Sequence, residues 1–274
     1  MPSSAGLRPA SASRVVLPGA VAVLTSAMLE GAPLPAVVLG VHDPALYLDV
    51  AGRVLPVITS DAVPLAPALR LAVPTGRVRW EVSAGDVVTV GGGRIVLPGF
   101  EVAVARTWRP ARVRRVRGAA VRCSLQTWGG SGWLADGIRA TLDDHDHDHD
   151  HGDGVGGLLG RGQGLTPSGD DALAGILLVR HAVGRAAPLA AAVRSRLATT
   201  TAVSAALLDA AAEGYAAREV VALVDAALAG DDATVSRALP AVLAIGHTSG
   251  ADLVAGIAGA VLHLTDTTTG RSAA

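Results

Sequence analysis

The apolar residues of this chain follow two different periodicities, and the change comes near Gly118. From Val15 to Val116, short apolar runs alternate with turn residues, a pattern typical of β-strands. These runs predict strands at residues 36–41, 45–50, 54–59, 77–82, 86–90, 94–97 and 100–105. The three consecutive glycines at 91–93 predict a hairpin turn. The regular spacing therefore predicts an antiparallel sheet or a small barrel in the first half of the chain.

Beyond Gly118 the chain changes to long Ala- and Leu-rich segments with helical period. Helices are predicted at 169–184, 188–197, 203–213, 216–229, 232–244 and 250–264. Glycines weaken any helix around Trp128 and Trp133, so the interval before Leu142 has no clear assignment. The expected fold class is α+β, with a β-rich domain at 15–118 and a helical domain at 119–274. Residues 1–14, rich in Ser, Ala and Pro, are expected to form a disordered leader.

Length and composition set the outer limits on function. The chain has 274 residues, 50% hydrophobic content and a formal net charge of -1. This is enough for one large or two modest cores, and the near-neutral charge argues against general nucleic-acid binding. Charged residues interrupt every apolar segment before the ~20 residues that cross a bilayer, so no membrane partner is expected. The single cysteine, Cys123, forms no internal disulfide and fits a cytoplasmic protein.

The basic side chains are all of one type. Each of the 23 is arginine, and lysine does not occur. A Walker A phosphate loop, a Schiff-base enzyme and a pyridoxal-phosphate enzyme each need a lysine amine, so these classes are excluded. Any bound phosphate must therefore be held by arginine, by helix ends, by a partner chain or by a metal.

The richest candidate for a ligand site is the run GGLLGRGQGLTPSGDDALAG at residues 156–175. Gly162 and Gly164 allow φ > 0 and a close approach of the backbone to a ligand. Ser168 followed three residues later by Asp171 is a capping-box signal for a helix that begins there. The free backbone N–H groups and the positive dipole at such a helix start would suit an anion.

A second copy of this pattern lies at residues 246–256, with one residue deleted. Thr166, Ser168, Gly169, Asp171 and Gly175 match Thr248, Ser249, Gly250, Asp252 and Gly256. One interpretation is that both segments are ordinary helix N-caps in an Ala- and Gly-rich chain. The preferred interpretation is that two helix N-termini are aimed at one small anionic substrate.

These motifs give a set of candidate site residues. Since Asp171 sits at the capping position, Asp170 is the better candidate for catalysis, through ligand contact or a magnesium ion. His247 is the second catalytic candidate, as an acid–base group, although it would equally cap the preceding helix end. The expected substrate-binding residues are Gly162, Gly164, Thr166, Ser168, Gly169, Asp171, Thr200, Ser204, Thr248, Ser249, Gly250 and Asp252. Thr200 and Ser204 mark either a third helix start at the same pocket or only a hydroxyl-rich N-terminus.

Two further segments carry concentrated charge. Seven arginines lie within 17 residues from Arg106 to Arg122, and they would bind a substrate's phosphate or carboxylate, line a solvated strand or dock an acidic partner. Residues 143–154 hold four histidines and six aspartates. His145, His147, His149 and His151 would bind zinc or nickel opportunistically, but a two-residue repeat defines no single geometry. The segment is expected to be a disordered insert.

The C-terminal half resembles the AllH-type subunit of oxamate carbamoyltransferase, a family often encoded beside FdrA-like proteins. The resemblance rests on Gly-x-Gly-x-Gly-Leu-Thr-Pro-Ser-Gly-Asp-Asp at 160–171, on Thr-Thr-x-x-x-Ser at 200–204 with Gly214 after it, and on Gly-His-Thr-Ser-Gly-x-Asp at 246–252. The first half of the chain matches only loosely. The resemblance implies carbamoyl transfer between carbamoyl phosphate and an amide such as oxamate, in a complex with FdrA-like and other subunits.

Two alternatives to this function stay open. One is a magnesium-dependent phosphoryl- or acyl-transfer enzyme that uses the same anion site, and magnesium is the one cofactor that any of these hypotheses brings in. The other is a non-catalytic scaffold or metal-binding subunit.

Overall fold

The computed structural model describes residues 14–116, 125, 132–144 and 154–272. In the first of these segments, eight strands form a closed barrel in the order β1-β5-β4-β3-β2-β6-β7-β8. The strands are β1 (Val15–Ala22), β2 (Leu34–His42), β3 (Ala45–Val50), β4 (Arg53–Ile58), β5 (Leu69–Leu71), β6 (Val87–Gly91), β7 (Arg94–Val96) and β8 (Phe100–Trp108). A short helix, α1 (Ala27–Glu30), follows β1, and a 3-10 turn occupies Thr75–Arg77.

The barrel combines antiparallel and parallel pairing. Neighbouring strands are antiparallel except for β4 with β5 and β8 with β1, which run parallel. The β1–β8 pairing closes the barrel, so each of its eight strands is paired on both sides. The predicted hairpin at the three glycines is confirmed, because Gly91 pairs with Arg94 and both Gly92 and Gly93 have positive φ.

The barrel core follows from alternation along the strands. On β3 the buried Leu46, Leu48 and Val50 face the interior, while Tyr47 and Asp49 alternate with them. The predicted strand at 77–82 is wrong, since this segment has no strand hydrogen bonds. Its Trp80 instead packs into the barrel core and donates its indole N–H to the His42 carbonyl oxygen at 2.9 Å. The irregular segment therefore still covers part of the barrel core, with its buried indole N–H bonded.

The second half of the described chain is helical. Its helices are α2 (Gly132–Asp144), α3 (Ser168–Ala182), α4 (Ala187–Arg194), α5 (Ala202–Ala212), α6 (Arg218–Ala229), α7 (Asp232–Leu243) and α8 (Ser249–Ser272). The predicted fold class, α+β, is therefore confirmed. The predicted leader and the domain boundary at 118 fall on residues 1–13 and 117–124, outside the described part of the chain. None of the described helices is both long and apolar enough to span a membrane.

Helix α3 is the centre of the helical part. Every residue from Gly169 to Ala182 is buried, and α8 is its main packing partner. A helix that is apolar on nearly all sides must be covered on all sides, and α2 and α5 cover the rest. Its own first turn, however, carries two carboxylates.

The barrel and the helical part meet beside the glycine-rich loop. A β-ladder joins β9 (Ala111–Arg112) to β10 (Tyr215–Ala216). Leu165 of the loop packs on β2 at Gly40, where an added Cβ would lie 3.3 Å from the leucine methyl. The loop is therefore supported from the barrel side as well as by its own helices.

Candidate functional site

The two copies of the glycine motif begin the two helices that cross most closely. A Cβ added at Gly175 of α3 would lie 2.4 Å from the Leu253 carbonyl oxygen of α8. A Cβ added at Gly256 of α8 would lie 2.0 Å from the Ala172 carbonyl oxygen of α3. Real Cβ atoms do not come so near to backbone, so only glycine allows this crossing.

These contacts are reciprocal within the repeat. Because Gly175 corresponds to Gly256, and Ala172 to Leu253, each helix places the same motif position against the other. The two copies are thus related by an approximate two-fold axis between α3 and α8. Such a relationship brings the two helix starts together, as the sequence predicted.

A cluster of hydroxyl and carboxyl groups lies where the two starts meet. The hydroxyl oxygens of Thr166 and Ser249, one from each copy, are 2.9 Å apart. Both hydroxyls lie close enough to the Asp171 carboxylate to favour its charged form. Asp252, the counterpart of Asp171 in the second copy, is near enough to repel its charge. We call these four residues the paired-helix cluster.

Burial dominates the chemistry of Asp171. Its side chain is 8% exposed, and loss of water raises its pKa from 3.8 to about 7. The charges of Asp252 and Asp170 add to this increase, while the hydroxyls of Ser249 and Thr166 oppose it. A carboxyl group with a pKa near 7 changes its protonation state in the range where acid–base catalysis is efficient.

Two oxygens of the paired-helix cluster have no hydrogen-bond partner within the part of the chain that the structure describes. They are the buried Oδ2 atoms of Asp171 and Asp252. An unpartnered buried carboxylate oxygen is costly, so a proton or a ligand atom between these groups would stabilise the pair.

Asp170, the neighbouring carboxylate, has a different environment. It is 2% exposed, and its Oδ1 accepts the Gly160 backbone N–H at 2.7 Å. Its Oδ2 accepts the hydroxyl of Thr200. Both carboxylate oxygens therefore fix the glycine-rich loop to the segment before α5, and this geometry favours a positioning role over direct contact with a ligand.

The threonine-rich segment at 199–201, just before α5, also binds the glycine-rich loop. Thr201 caps α5 by accepting the Ser204 backbone N–H at 3.0 Å, and its hydroxyl donates to the Leu165 carbonyl oxygen at 2.5 Å. The sequence singled out Thr200 and Ser204, and the loop contact of Thr201 was missed. The Ser204 hydroxyl is buried and has no partner. The Thr-Thr-x-x-x-Ser motif at 200–204 therefore contacts the glycine motif at 160–171 through the loop.

The capping box predicted for α3 is wrong. Pro167 occupies the N-cap position, and no side chain caps the helix. The backbone N–H of Gly169 donates to Arg161, and those of Asp170 and Asp171 donate to Pro167. In α8 the N–H groups of residues 250 and 252 are likewise bonded to carbonyl oxygens. These N–H groups do not face an anion, so the side chains of the paired-helix cluster carry more of the candidate chemistry.

The loop glycines adopt the backbone that the sequence predicted for them. Gly162 has φ of 131° and Gly164 of 88°. A Cβ at Gly162 would lie 2.5 Å from the backbone nitrogen of Ser168. The loop therefore folds tightly back on the start of α3, and residues 161–164 are exposed above it.

The remaining candidates lie at the edge of this arrangement. His247 and Thr248 are exposed on the turn between α7 and α8, and the described hydrogen bonds do not join His247 to the paired-helix cluster. Gly250 is buried against Val242, where a Cβ would lie 2.1 Å from the carbonyl oxygen. Its role is thus close packing of α8 on the end of α7.

The arginines considered for binding a substrate's anion divide into two groups. Arg112 and Arg114 bind within the protein: Arg112 donates to the Glu213 carbonyl oxygen at 2.7 Å, and Arg114 pairs with Asp225 at 3.3 Å. Arg161, in the glycine-rich loop, lies 4.3 Å above the Trp133 ring. The sequence did not single out Arg161, although it is the one cationic side chain of that loop.

The histidines of the metal-binding hypothesis, His145, His147, His149 and His151, lie outside the described residues. The ends of their segment are described: Asp143 and Asp144 complete α2, and the Gly154 N–H donates to Asp144 at 2.7 Å. Within the described part of the chain, no three His, Cys, Asp or Glu side chains are grouped to hold a metal.

These features define an α+β protein whose candidate site is a paired helix start with a glycine-rich loop beside it. Residues 158–261 match the family described as oxamate carbamoyltransferase subunit AllH. The match contains all three motif blocks, and it confirms the resemblance seen in the sequence. No solved structure shows significant similarity to the chain.

Proposed function

We propose that this chain is a subunit of a carbamoyltransferase of the oxamate type, and that the paired-helix cluster is part of the transfer site. The most direct support is that the family match and the paired-helix cluster occupy the same part of the chain. The family match at 158–261 spans the residues that form the cluster, whereas the barrel lies outside it. We further propose that FdrA-like and other carbamoyltransferase subunits are its partners.

The chemistry of the reaction needs a proton acceptor. The amide nitrogen of oxamate attacks the carbonyl carbon of carbamoyl phosphate, the new N–C bond forms, and the C–O bond to phosphate breaks. The attacking nitrogen loses a proton, and inorganic phosphate leaves with the bonding electrons. An amide is a weak nucleophile, so a base placed at its N–H would accelerate the step.

Asp171 has the properties required of that base. Its pKa of about 7 lets it accept a proton near neutral pH and release it again. The hydroxyls of Thr166 and Ser249 lie beside its carboxylate and favour its charged form. In this proposal Asp252 receives no proton from substrate but keeps the pKa of Asp171 high through its charge.

Asp170 and the loop would act indirectly. By accepting from Gly160 and Thr200, Asp170 fixes the exposed residues 161–164 beside the cluster. Arg161 is then the cation proposed for the phosphate or carboxylate of a substrate. Among the described residues its guanidinium contacts the Trp133 ring and no carboxylate, so it can turn to a stronger anionic partner. His247 stays a proposed proton donor to the leaving phosphate, at an exposed position that a partner subunit would have to cover.

One observation keeps the magnesium-dependent alternative open. The two unpartnered Oδ2 atoms of Asp171 and Asp252 are hard oxygen ligands, and a divalent cation would satisfy them as well as a proton. Asp170 fits magnesium poorly, because both its oxygens already accept hydrogen bonds. A metal site would therefore centre on Asp171 and not on Asp170.

The test is an assay on the complex of this chain with its FdrA-like partner subunits. Carbamoyl phosphate and oxamate are supplied, and released phosphate and N-carbamoyl oxamate are both quantified. We expect oxamate-dependent turnover that falls at least a hundredfold in Asp171→Asn. The matched control is Asp209→Asn, an exposed carboxylate on α5 that pairs with Arg194, and it should retain activity.

Each alternative predicts a different outcome. Activity that collapses with chelator and returns with magnesium, even after residues 145–153 are deleted, would favour the metal-dependent enzyme. Full activity of the complex that contains Asp171→Asn would favour the alternative in which this chain is a non-catalytic scaffold. Absence of oxamate-dependent turnover in the intact complex would contradict the proposed reaction.

A further inference from the structure

The outer face of the barrel carries a cavity, far in sequence from the paired-helix cluster. Its volume is about 350 Å³, the size of a small-molecule site. It is lined by strands β1, β5 and β8 and by Ser60, and its polar lining includes Arg70 and Arg106. We call it the barrel cavity.

The strand register explains why two arginines share this cavity. Arg70 of β5 pairs with Ala20 of β1, and Ala20 pairs on its other side with Arg106 of β8. Residues paired across neighbouring strands point to the same face of a sheet. Only one small side chain, that of Ala20, therefore separates the two guanidinium-bearing positions.

A bulge in β8 brings Arg106 to this face. The register shifts between Gly19 and Ala20, whose partners are Val104 and Arg106, so Ala105 has no partner. Without the extra residue, Ala105 would oppose Ala20 and Arg106 would fall on the interior face beside Val21. The bulge thus places a second cation on the wall of the cavity.

Arg70 has hydrogen-bonding capacity that the protein does not use. Its Nε is buried and has no partner among the residues that the structure describes, although buried N–H groups are nearly always bonded. Its guanidinium carbon lies 5.4 Å from the centre of the Trp108 ring. The indole N–H of Trp108 donates to the Ala68 carbonyl oxygen at 3.0 Å, which fixes the ring. Arg70 is therefore pre-oriented against a rigid aromatic wall.

Nearby carboxylates do not neutralise this pair. Among the described residues, neither Arg70 nor Arg106 forms an ion pair. Asp61, next to Ser60, accepts the backbone N–H and the hydroxyl of Thr75 at 2.9 Å each. Glu101, the carboxylate of β8, pairs with Arg94 at 3.0 Å. Two uncompensated guanidinium groups around one cavity repel each other, and an anion between them would remove that cost.

We propose that the barrel cavity binds a small oxyanion, a phosphate or a carboxylate, between Arg70 and Arg106. Arg70 supplies one guanidinium, Arg106 the second, and Ser60 a hydroxyl. This site is separate from the proposed transfer site, and neither the family match nor any motif of the glycine loop includes it.

The experiment is a calorimetric titration of the full-length protein at low ionic strength, with inorganic phosphate in one arm and oxalate in the other. Arg106 is exposed, so Arg106→Gln should fold normally. We expect Arg106→Gln to weaken binding at least tenfold. Arg94→Gln is the matched control, since it removes the same charge from the same barrel at an ion-paired position, and it should change affinity less than twofold. Asp171→Asn, which alters only the transfer site, should leave this binding intact.

A second measurement locates the ligand. The indole N–H resonance of Trp108, assigned by its absence in Trp108→Phe, should shift on addition of the anion that binds. Binding of phosphate alone, or of oxalate alone, identifies which oxyanion the cavity takes. Absence of binding in both arms, equal weakening by Arg106→Gln and Arg94→Gln, or an unmoved Trp108 resonance would overturn the proposal.

Discussion

The hydroxyl oxygens of Thr166 and Ser249 lie 2.9 Å apart, although 83 residues separate them in the chain. Each hydroxyl belongs to one copy of the glycine motif, and both favour the charged form of Asp171. This contact turns two similar sequence segments into one polar cluster. It exists because glycines at equivalent positions let α3 and α8 cross with their backbones in contact.

The raised pKa of Asp171 predicts how stability depends on pH. Since its pKa is about 7 in the folded protein and 3.8 for an exposed aspartate, the folded state binds this proton more tightly. Stability from this group is therefore present below pH ~4 and decreases as pH rises to ~7. Three pKa units correspond to roughly 4 kcal/mol at most. Asp171→Asn should remove this decrease in stability with rising pH. The difference in Tm between the variant and the wild type should therefore grow from pH 5 to pH 8. A difference independent of pH would contradict the assignment.

Removal of the Ser249 hydroxyl should raise the pKa of Asp171 further. The hydroxyl stabilises the charged carboxylate, and a hydrogen bond to a charged group contributes about 1.5 kcal/mol, or roughly one pKa unit. In Ser249→Ala the rising limb of the kcat/KM profile of the complex should move to higher pH by about 1 unit. Ser195→Ala, which removes an exposed hydroxyl bonded to the Ala192 carbonyl oxygen, is the control and should not move it.

The crossing of α3 and α8 should tolerate no side chain at Gly256. Gly256→Ala places a Cβ 2.0 Å from the Ala172 carbonyl oxygen, so the helices must separate. We expect a loss of about 2–4 kcal/mol in the free energy of unfolding, measured in urea, as for other overpacked cores and displaced backbones. Gly76→Ala is the control, because a Cβ there meets nothing within 4 Å. Equal stability of the two variants would show that the crossing is looser than described.

The Thr200 hydroxyl, bonded to Asp170, should contribute more to the free energy of unfolding than the exposed hydroxyl of Thr199. Thr200→Val leaves a buried carboxylate oxygen without its donor, which costs about 1–3 kcal/mol. Thr199→Val removes only an exposed hydroxyl bonded to the Arg196 carbonyl oxygen, and it should cost less than about 0.5 kcal/mol. Because Asp170 holds Gly160, the glycine-rich loop of Thr200→Val should also be cut faster by protease. Unchanged cleavage would argue against Asp170 as the residue that fixes the loop.

The histidine tract should bind metal without serving the reaction. Serine in place of His145, His147, His149 and His151 should abolish nickel and zinc binding, since neutral imidazoles are the ligands. Turnover by the assembled complex should stay unchanged, because the described ends of the segment, at Asp144 and Gly154, bond to each other outside the cluster. Parallel loss of metal binding and turnover would give the tract a catalytic part.

Sequence alone predicted most of the local structure of this protein. Periodicity gave the helices from α3 to α7 within a few residues, because long amphipathic or wholly apolar segments are bounded by Gly, Pro and Asp. It also gave the start of α8, but this helix continues eight residues beyond its predicted end at 264. Periodicity also predicted most of the barrel strands. Comparison of the sequence with itself identified the two copies of the glycine motif. Periodicity failed at 77–82, where an alternating segment lacks strand partners and serves the core through Trp80.

Tertiary structure decided what the candidate residues do. Asp170 and Asp171 are adjacent in sequence and chemically identical, and the capping-box pattern assigned Asp171 to the cap and Asp170 to the ligand. No side chain caps α3, and Asp170 is the carboxylate that binds the loop. Packing put Asp170 against Gly160 and Thr200, and put Asp171 beside Ser249 and Asp252. In the same way, only the barrel register and its bulge show that Arg70 and Arg106 face one cavity. Residue type and spacing determine local structure, whereas burial and charge depend on groups that are distant in the chain, and these set the chemistry.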